Sequence, residues 1–421
     1  MRHGPRHPRR HRHPHRHNGP NGPQPQQGPR GPRDPRQAPI PTTGPTTPVA
    51  GVVELTEGAG GYVRQVAQNY LAHRDDVVVP FTIARDFGLR DGSEIEGLAR
   101  DGGGGRRVLV EVAKAVGLGP EEAKGLPHFQ DLISVNPHEP FVLSGEGSEI
   151  SLRVIDLIAP IGRGQRGLIV SPPKAGKTTL LEHLGKAISK HHPETHLILL
   201  LIDERPEEVT NFRRSVPAEV LASSSDSASD AHIKLARLAI ERAKRLVESG
   251  RHVVILLDSL TRLGRASNRE IGPGGRTMSG GVDNRALQFP RQFFGAARNC
   301  EGSGSLTILA TALIDTGSRM DEVIFQEFKG TGNMELILDR SIADRRIFPA
   351  VDVLKSGTRR EELLVPPEEL AKRHLLRRAL ADLSSVEAAQ FLIDKLQKTP
   401  SNAAFLGSMV APAPAAMRRF R

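Results

Sequence analysis

The segment Ser171-Pro-Pro-Lys-Ala-Gly-Lys-Thr178 decides how this chain folds. An aliphatic run at Leu168–Val170 precedes it, and a helical pattern of leucine, alanine and isoleucine follows it. A glycine-containing loop between a strand and a helix is typical of a phosphate-binding loop, because the free N–H groups and the dipole of the helix face the anion. The segment therefore predicts that Lys177 reaches the β- and γ-phosphates of a nucleotide and that the Thr178 hydroxyl binds Mg²⁺.

Around this loop, short aliphatic runs alternate with helical patterns. The runs are Gly167–Val170, His196–Ile202, His252–Leu257 and Leu306–Thr311. Between the second and third runs, apolar residues recur at steps of three and four, which is the period of one helical face. Strands that alternate with amphipathic helices predict an α/β fold, with a mostly parallel sheet covered by helices on both faces.

A second glycine pattern lies just upstream of the loop. Gly162-Arg-Gly-Gln-Arg-Gly167 has the spacing of a dinucleotide-binding fingerprint. That fingerprint must follow a strand and open a helix, whereas this segment precedes a strand, so we exclude NAD binding. A tight turn beside the nucleotide and a plain surface turn both agree with the sequence.

Two of the aliphatic strands end in carboxylates. Asp258 follows the run at His252–Leu257, and Glu204 comes shortly after His196–Ile202. Because the carboxyl ends of parallel strands meet at one edge of a sheet, these acids are expected to converge beside the phosphate loop. We predict that Asp258 binds the metal and that Glu204 polarises the attacking water. The alternative is that Glu204 only caps a helix beginning near Pro206.

Several other residues have two possible roles. Hydrolysis places negative charge on the γ-phosphate, and either Arg346 or Arg359 supplies the positive group, since spacing alone does not choose between them. Phe348 either stacks on adenine or packs in the core. Two irregular loops that contain Arg276 and Arg319 either line a channel for a polyanion or form flexible surface loops.

The amino-terminal part of the chain has a different pattern of apolar residues and glycines. Residues 50–118 contain short apolar runs separated by glycine turns, which predicts a small barrel of the oligonucleotide-binding (OB) type. Residues 119–150 have no clear hydrophobic period and are predicted to form a connector.

Residues 1–49 contain 13 of the 32 prolines, nine arginines and one aspartate, so we expect a disordered basic tail. Its predicted partner is RNA phosphate; a metal ion or no partner are the alternatives.

Length and composition exclude several classes of protein. The longest apolar run of this 421-residue chain is Leu197–Ile202, far short of the roughly 20 residues that cross a membrane. The only cysteine, Cys300, excludes a disulfide framework and a cysteine-rich zinc site. These features predict a cytoplasmic protein without a membrane partner.

These motifs together resemble the transcription termination factor Rho family of bacterial hexameric, RNA-dependent ATPases and helicases. The resemblance runs from about Pro48 to Phe405 and is dense from Pro160 to Leu364. The shared strings are Pro-Ile-Gly-Arg-Gly-Gln-Arg-Gly from Pro160, the phosphate loop, Leu-Ile-Asp-Glu-Arg-Pro-Glu-Glu-Val-Thr from Leu201, Phe-Phe-Gly-Ala-Ala-Arg-Asn from Phe293, Phe-Lys-Gly-Thr-Gly-Asn-Met-Glu-Leu from Phe328 and Ser-Gly-Thr-Arg from Ser356. It implies a RecA-type P-loop ATPase domain behind an OB-fold domain. It also implies ATP and Mg²⁺ as cofactors, and single-stranded RNA, RNA polymerase, elongation factors and copies of the same chain in a homohexamer as partners.

The resemblance also implies a role for each matching residue. The ATP contacts are Gly162, Arg163, Gly164, Gln165, Arg166, Gly167, Lys174, Ala175, Gly176, Lys177, Thr178, Thr179 and Arg205, with Phe348 on the adenine. The catalytic residues are Glu204 as base, Lys177, Asp258 on Mg²⁺, Arg359 as a finger from the neighbouring subunit, and Arg346 as a second such arginine. The RNA contacts are Tyr62 and Arg64 on the barrel, with Arg276, Ser279 and Arg319 in the central channel.

The amino-terminal half departs from the family pattern. Relatives stack cytosines on the aromatic residues of a Phe-Gly-Phe-like turn and on a nearby tyrosine, whereas here the turn reads Gly60-Gly61-Tyr62 and Val77–Val79 carries no ring. Because stacking contributes about 1–3 kcal/mol per base, the loss of two rings should weaken RNA binding or relax its pyrimidine preference. The hypothesis is that the basic tail compensates electrostatically.

The sequence therefore predicts four regions: a tail at 1–47, an OB-fold RNA-binding domain at 48–118, a connector at 119–150 and an ATPase domain with C-terminal helices at 151–421. The predicted function is an ATP-dependent RNA translocase, a 5′-to-3′ RNA–DNA helicase, that releases transcripts from RNA polymerase. The alternatives are a rotary-type ATPase subunit and an RNA-binding module without turnover.

Overall fold

The computed structural model describes residues 40–56, 59–225, 228–271 and 279–409. Within these ranges the strands form a closed barrel, a nine-stranded sheet and a two-stranded sheet. No helix of the described residues is long and apolar enough to cross a membrane.

The barrel lies at the amino-terminal end of the described chain and confirms the predicted small β-barrel. Its strands close in the order β1-β2-β3-β5-β4. Val53, Val63, Val79 and Leu109 are fully buried inside it. Its elements are β1 (Thr46–Leu55), β2 (Gly61–Arg64), β3 (Val77–Val79), α1 (Phe81–Asp86), β4 (Glu94–Asp101) and β5 (Arg107–Ala115).

Two boundaries of this region differ from the sequence prediction. Strand β1 begins at Thr46, two residues inside the predicted tail, because its first residues pair with β4, as Thr46 does with Arg100. The predicted connector contains three short elements, which are α2 (Pro120–Lys124), β6 (Ser134–Val135) and β7 (Pro140–Phe141).

The large sheet carries the predicted parallel strands at its centre. Its main order is β11-β10-β12-β14-β9-β15-β16, in which the first six strands are mutually parallel. The strands that follow the connector along the chain are β8 (Ile161–Gly162), which belongs to the two-stranded sheet, and then β9 (Arg166–Ser171), β10 (His196–Glu204), β11 (Glu219–Ser224), β12 (His252–Asp258), β13 (Arg298–Cys300), β14 (Ser305–Leu313), β15 (Met334–Ile337) and β16 (Gly357–Thr358).

Helices cover the large sheet, and the described part of the chain closes with a helical group. The predicted apolar stripe is confirmed in α6, where Ile233, Ala236, Ile240, Ala243 and Val247 are all buried. The helices are α3 (Ile150–Ile158), α4 (Lys177–His191), α5 (Pro206–Ser215), α6 (Ser229–Glu248), α7 (Leu260–Ile271), α8 (Gln288–Gly295), α9 (Arg319–Phe328), α10 (Arg340–Asp344), α11 (Pro367–Leu380), α12 (Ser385–Gln397) and α13 (Asn402–Ser408).

Polar contacts fix the barrel on the edge of the large sheet. The hydroxyl of Tyr70, a residue that is 4% exposed, donates to Glu219 of edge strand β11. Arg90 forms two hydrogen bonds with the Glu248 carboxylate of α6, at 3.1 Å and 2.6 Å. Because these polar groups are paired as well as buried, they hold the barrel in one orientation against the large sheet.

Candidate functional site

The phosphate loop joins the end of β9 to the start of α4. Gly176 precedes the helix with a φ of 90°, and Lys174 has a φ of 65°. The left-handed region costs a lysine energy, and such strain persists mostly where ligands bind. No side chain caps the start of α4. The loop therefore presents main-chain donors at a helix N-terminus, which is the arrangement that an anion site requires.

Lys177, the first residue of α4, holds the carboxylate that ends β12. Its Nζ lies 2.5 Å and 2.7 Å from the two carboxylate oxygens of Asp258, and 3.9 Å from Oε2 of Glu204. The side chains of Asp258 and Glu204 are 0% and 2% exposed, while that of Lys177 is 15% exposed. The structure thus brings the loop lysine together with both predicted acids.

The two acid-bearing strands are not adjacent to the loop strand β9 in the sheet. Strand β14 lies between β9 and β12, and β10 lies beyond β12. The Thr311 hydroxyl of β14 donates to Asp258 at 2.9 Å. The long side chain of Lys177 therefore crosses the intervening strand. Thr311 is a member of the site that the sequence analysis missed, because it lies in an aliphatic run without a motif.

Glu204 has one carboxylate oxygen bound and one oxygen free. Its Oε1 lies 3.3 Å from the guanidinium of Arg262 and accepts from the N–H of Arg205 at 3.3 Å. Its buried Oε2 has no hydrogen-bond partner among the described residues. Burial, and then the neighbouring carboxylate of Asp258, raises the pKa of Glu204. A buried carboxylate with a raised pKa and an unpartnered oxygen fits a general base better than a structural group.

The alternative role for Glu204, as a helix cap, does not fit the geometry. Helix α5 begins at Pro206 as predicted, but its N-cap residue is Arg205 and no side chain caps it. Glu208, in the first turn of this helix, accepts from the Thr178 hydroxyl at 3.2 Å. Glu208 belongs to no phosphate-binding motif, so its contact with the phosphate loop is seen only in the structure.

A cavity of about 530 Å³ lies beside the loop. Phe348 is 48% exposed at this cavity, and its ring lies 3.7 Å from the position that a Cβ on Gly176 would take. The structure therefore places Phe348 beside the loop and not in the core. The cavity is lined by Glu149, Ile150, Ser151, Lys174, Ala175, Gly176, Thr179, Leu180, His183, Leu338, Phe348, Pro349 and Ala350.

Arg359 lies at the opposite end of β9 from the phosphate loop. Its N–H donates to the main-chain oxygen of Asn333 at 2.9 Å, and Oδ1 of this asparagine accepts from the N–H of Arg166 at 2.8 Å. Strand β9 has six residues, so Arg166 and Ser171 are roughly 16 Å apart at the usual rise of about 3.3 Å per residue. Arg359 therefore lies far from the phosphate loop of its own chain.

The glycine turn before β9 lies at this same end. The N–H of Gly164 donates to Thr307 at 2.8 Å, and the Gln165 amide donates to Asn333 at 2.6 Å. The length of β9 separates the predicted contacts Gly162, Arg163, Gly164, Gln165, Arg166 and Gly167 from the loop. Contrary to the idea of a turn beside the nucleotide, one chain does not bring these residues to its own loop. They share a face with Arg359 instead.

Arg346 and Arg205 are exposed near the loop side of the sheet. Arg346 has a φ of 61° and precedes Phe348 by two residues. It is not among the residues around Arg359, so the two predicted arginines of the neighbouring subunit do not form one cluster. Arg205 follows Glu204 directly and is exposed at the start of α5.

On the barrel, Tyr62 and Arg64 lie on the outer face of β2. The Arg64 guanidinium lies 4.9 Å from the centre of the Tyr62 ring and forms ion pairs with Glu54 and Asp76. Two carboxylates thus neutralise Arg64, and its guanidinium packs against one face of the Tyr62 ring. Tyr62 remains half-buried on a surface that an OB-fold uses for oligonucleotides.

The predicted channel loops meet at the start of α9. Arg319 is exposed and, with Gly280, lines a cavity of about 480 Å³. A Cβ on Gly280 would lie 2.8 Å from the main-chain oxygen of Arg319, so the glycine-rich loop ends directly against this arginine. Arg276 and the side chain of Ser279 lie outside the described residues, so their roles stay predictions.

Comparison with known proteins identifies both domains. The signature of the Rho termination factor RNA-binding domain matches residues 49–121. That of the ATP synthase alpha/beta family nucleotide-binding domain matches residues 151–358. The first match falls on the barrel and the second on the large sheet.

The transcription termination factor Rho of Cereibacter sphaeroides is 52% identical to this chain over 364 residues, which cover 85% of this chain and 86% of the relative. The chain belongs to the Rho family. Rho of Aquifex aeolicus is 50% identical over 369 residues, covering 86% and 85% of the two chains. Rho of Streptomyces lividans is 51% identical over 364 residues, but only 51% of that relative is covered.

Solved structures with lower identity share the ATPase fold. A prototypical ATPase of a bacterial type III secretion system is similar to this Rho-family chain with a TM-score of 0.54 and 22% identity, over 66% of this chain and 86% of that protein. The assembled ATPase of the enteropathogenic E. coli secretion system has a TM-score of 0.55 and 23% identity, over 67% and 69%. The predicted family and fold class are confirmed: the Rho-family chain combines an RNA-binding barrel with a P-loop ATPase domain.

Proposed function

We propose that this chain is an ATP-driven RNA translocase and 5′-to-3′ RNA–DNA helicase that removes nascent transcripts from RNA polymerase. The observation that carries the proposal is the buried cluster at the phosphate loop, where Lys177 contacts Asp258 and lies 3.9 Å from the unpartnered oxygen of Glu204. A module that only binds RNA has no need to bury two carboxylates beside a lysine, since burying charge is costly.

In the proposed reaction, the main-chain donors of the loop and the Lys177 ammonium bind the phosphates of ATP. Glu204 orients the attacking water and accepts its proton at Oε2, the oxygen that no described residue occupies. The raised pKa of this carboxyl makes it a stronger base than an ordinary glutamate. Phe348 offers its exposed face to the adenine ring.

The residues present fit Mg²⁺. The hard ion prefers oxygen ligands, usually one or two carboxylates plus substrate phosphates, and here the Thr178 hydroxyl and the buried Asp258 carboxylate flank the loop. The described residues contain no cluster of three or more acidic, histidine or cysteine ligands, which agrees with a site completed by the nucleotide. Mg²⁺ would neutralise charge on the β- and γ-phosphate oxygens.

We further propose that the chain acts as a homohexameric ring. In one chain, Arg359 lies a strand length from the loop, so a finger arginine at this position requires the phosphate of a neighbouring subunit. The same face carries Arg166 and the turn at Gly162–Gly167. In the proposed ring, these predicted ATP contacts would therefore face the nucleotide that is bound to the neighbouring subunit. A ring built from such head-to-tail contacts closes when the rotation between subunits permits it.

The RNA path of this proposal runs from the barrel to the loops at Arg319. RNA polymerase and elongation factors are the proposed partners, and the cytoplasm is the proposed compartment. The basic tail, proposed to hold RNA phosphates, lies mostly outside the described residues. A rotary-type ATPase subunit shares the nucleotide-binding signature, but the Rho-type RNA-binding barrel at residues 49–121 favours action on RNA.

Strand displacement tests the proposed function. With ATP, the purified chain should release a DNA strand paired to the 3′ part of an RNA that has a single-stranded 5′ extension. A matched duplex with the extension at the 3′ end should stay intact, because loading requires single-stranded RNA upstream. Equal release from both substrates, or release without ATP, would contradict directional translocation.

A further inference from the structure

A groove of about 510 Å³ lies on the barrel, beside the turn that leads into β2. We call it the Phe81 groove. Its floor is apolar and includes Phe81 and Ala59, and its rim carries Arg85, Arg90, Lys124 and His128. No assignment made above includes these residues.

Phe81 is the exposed ring of this groove. It is the first residue of α1 and 43% exposed, whereas Ile83 and Ala84 of the same helix are buried against the barrel. Leaving a phenylalanine half in water forfeits part of the free energy that its burial would contribute. The fold therefore keeps an aromatic face accessible at the point where β3 ends.

Gly60 brings the β1–β2 turn directly against the main chain of Phe81. A Cβ on Gly60 would lie 2.1 Å from the oxygen of Val79 and 2.9 Å from the nitrogen of Phe81, so no side chain fits there. The turn that leads into β2 therefore packs on the main chain at Phe81.

The cations of the groove differ in their partners. Lys124 donates to the main-chain oxygen of Asp86 at 3.1 Å, and Arg85 is 64% exposed beside the Asp86 carboxylate at 2.8 Å. Arg90 is paired with Glu248 and lies 2.8 Å from Nδ1 of His128. Among the described residues, the groove is lined by no aspartate or glutamate.

We propose that the Phe81 groove is an additional subsite for single-stranded RNA, in which a base stacks on Phe81 while its phosphate contacts Lys124 and Arg85. Single-stranded nucleic acid is held in this way by rings that stack bases and cations that follow the backbone. The location of the groove agrees with RNA binding, because OB-folds bind oligonucleotides with the β1–β2 loop and the adjacent strands. A base that stacks without being read by hydrogen bonds is accepted whatever its identity, so this subsite binds RNA without selecting cytosine.

The subsite rests on the proposed action on RNA, and it lies within and next to the residues that match the RNA-binding signature, 49–121. A protein partner is the competing occupant of such a groove. The exposed cations Lys124 and Arg85 favour RNA, since each cation that meets a phosphate releases counterions.

Equilibrium binding of a fluorescent, short single-stranded oligoribonucleotide to the full chain, at two salt concentrations, tests the proposal. Phe81→Ala should weaken binding about 5- to 150-fold, the equivalent of one stacked base, with an unchanged salt slope. Phe81→Tyr should bind like the parent chain, because the ring is kept. Lys124→Ala should weaken binding and reduce the salt slope by about one phosphate contact.

Phe391→Ala is the matched control, because Phe391 of α12 is 42% exposed outside the barrel; this variant should bind RNA normally. Normal RNA binding by Phe81→Ala would overturn the subsite and leave a protein partner as the occupant. Equal weakening by Phe81→Ala and Phe81→Tyr would also overturn it, because stacking tolerates tyrosine. If the parent chain itself bound no RNA, the proposed function would fail instead.

Discussion

Lys177→Ala is expected to abolish ATP hydrolysis, with turnover reduced at least about 100-fold. The ammonium is the positive group at the loop, and without it the phosphates lose their charged donor. The same change leaves the Asp258 carboxylate, which is 0% exposed, without its cation, and leaves the neighbouring Glu204, which is 2% exposed, with Arg262 as its cation. We therefore expect the folded state to lose about 3–5 kcal/mol as well.

Two variants separate the loss of chemistry from the loss of stability. Lys177→Ala combined with Asp258→Asn removes the stranded charge, so thermal unfolding should return toward the parent value while hydrolysis stays absent. Lys190→Ala changes another lysine in the last turn of α4 and should leave both measurements unchanged. Hydrolysis by Lys177→Ala at a near-parent rate would contradict the assignment of the loop.

Arg359→Ala should spare nucleotide binding and reduce turnover about 10³- to 10⁵-fold, as the loss of an arginine finger does. The affinity stays because Arg359 lies at the Asn333 end of β9 and makes no contact with the loop of its own chain. Nucleotide binding by a fluorescent ATP analogue and steady-state hydrolysis measure the two effects separately.

A mixture of the two inactive variants tests whether Arg359 acts between subunits. A chain with Arg359→Ala retains Lys177, and a chain with Lys177→Ala retains Arg359. In a mixed ring, some interfaces combine an intact loop with an intact finger, so hydrolysis should reappear on mixing. If the mixture stayed as inactive as its components, the finger would have to be sought elsewhere.

The sequence predicts the centre of the fold well and its edges poorly. The four aliphatic runs around the loop are strands because each is long, branched and buried on both faces, which is the pattern of a central parallel strand. The edge strand β11 and the short β15 lack such a run. In the barrel, β4 has no apolar run that would mark it as a strand, because its inward positions include Gly97 and Ala99, small residues with little strand preference.

The candidate site shows the same division. Lys177, Asp258 and Glu204 could be predicted because each follows a strand or opens a helix at the same edge of the sheet. Thr311, Arg262 and Glu208 could not, since their contacts depend on the order of strands and on side-chain direction. For the turn at Gly162–Gly167, a place beside the nucleotide and a plain surface turn both agreed with the sequence; the six residues of β9 hold this turn at the opposite edge of the sheet from the loop of its own chain.

The rate of ATP hydrolysis by the purified chain, measured with and without single-stranded RNA, shows whether RNA drives the ATP site. A translocase whose site is completed between subunits should hydrolyse ATP slowly alone and many times faster when RNA is added. An unchanged rate in the presence of RNA, or no hydrolysis with any RNA supplied, would contradict the account.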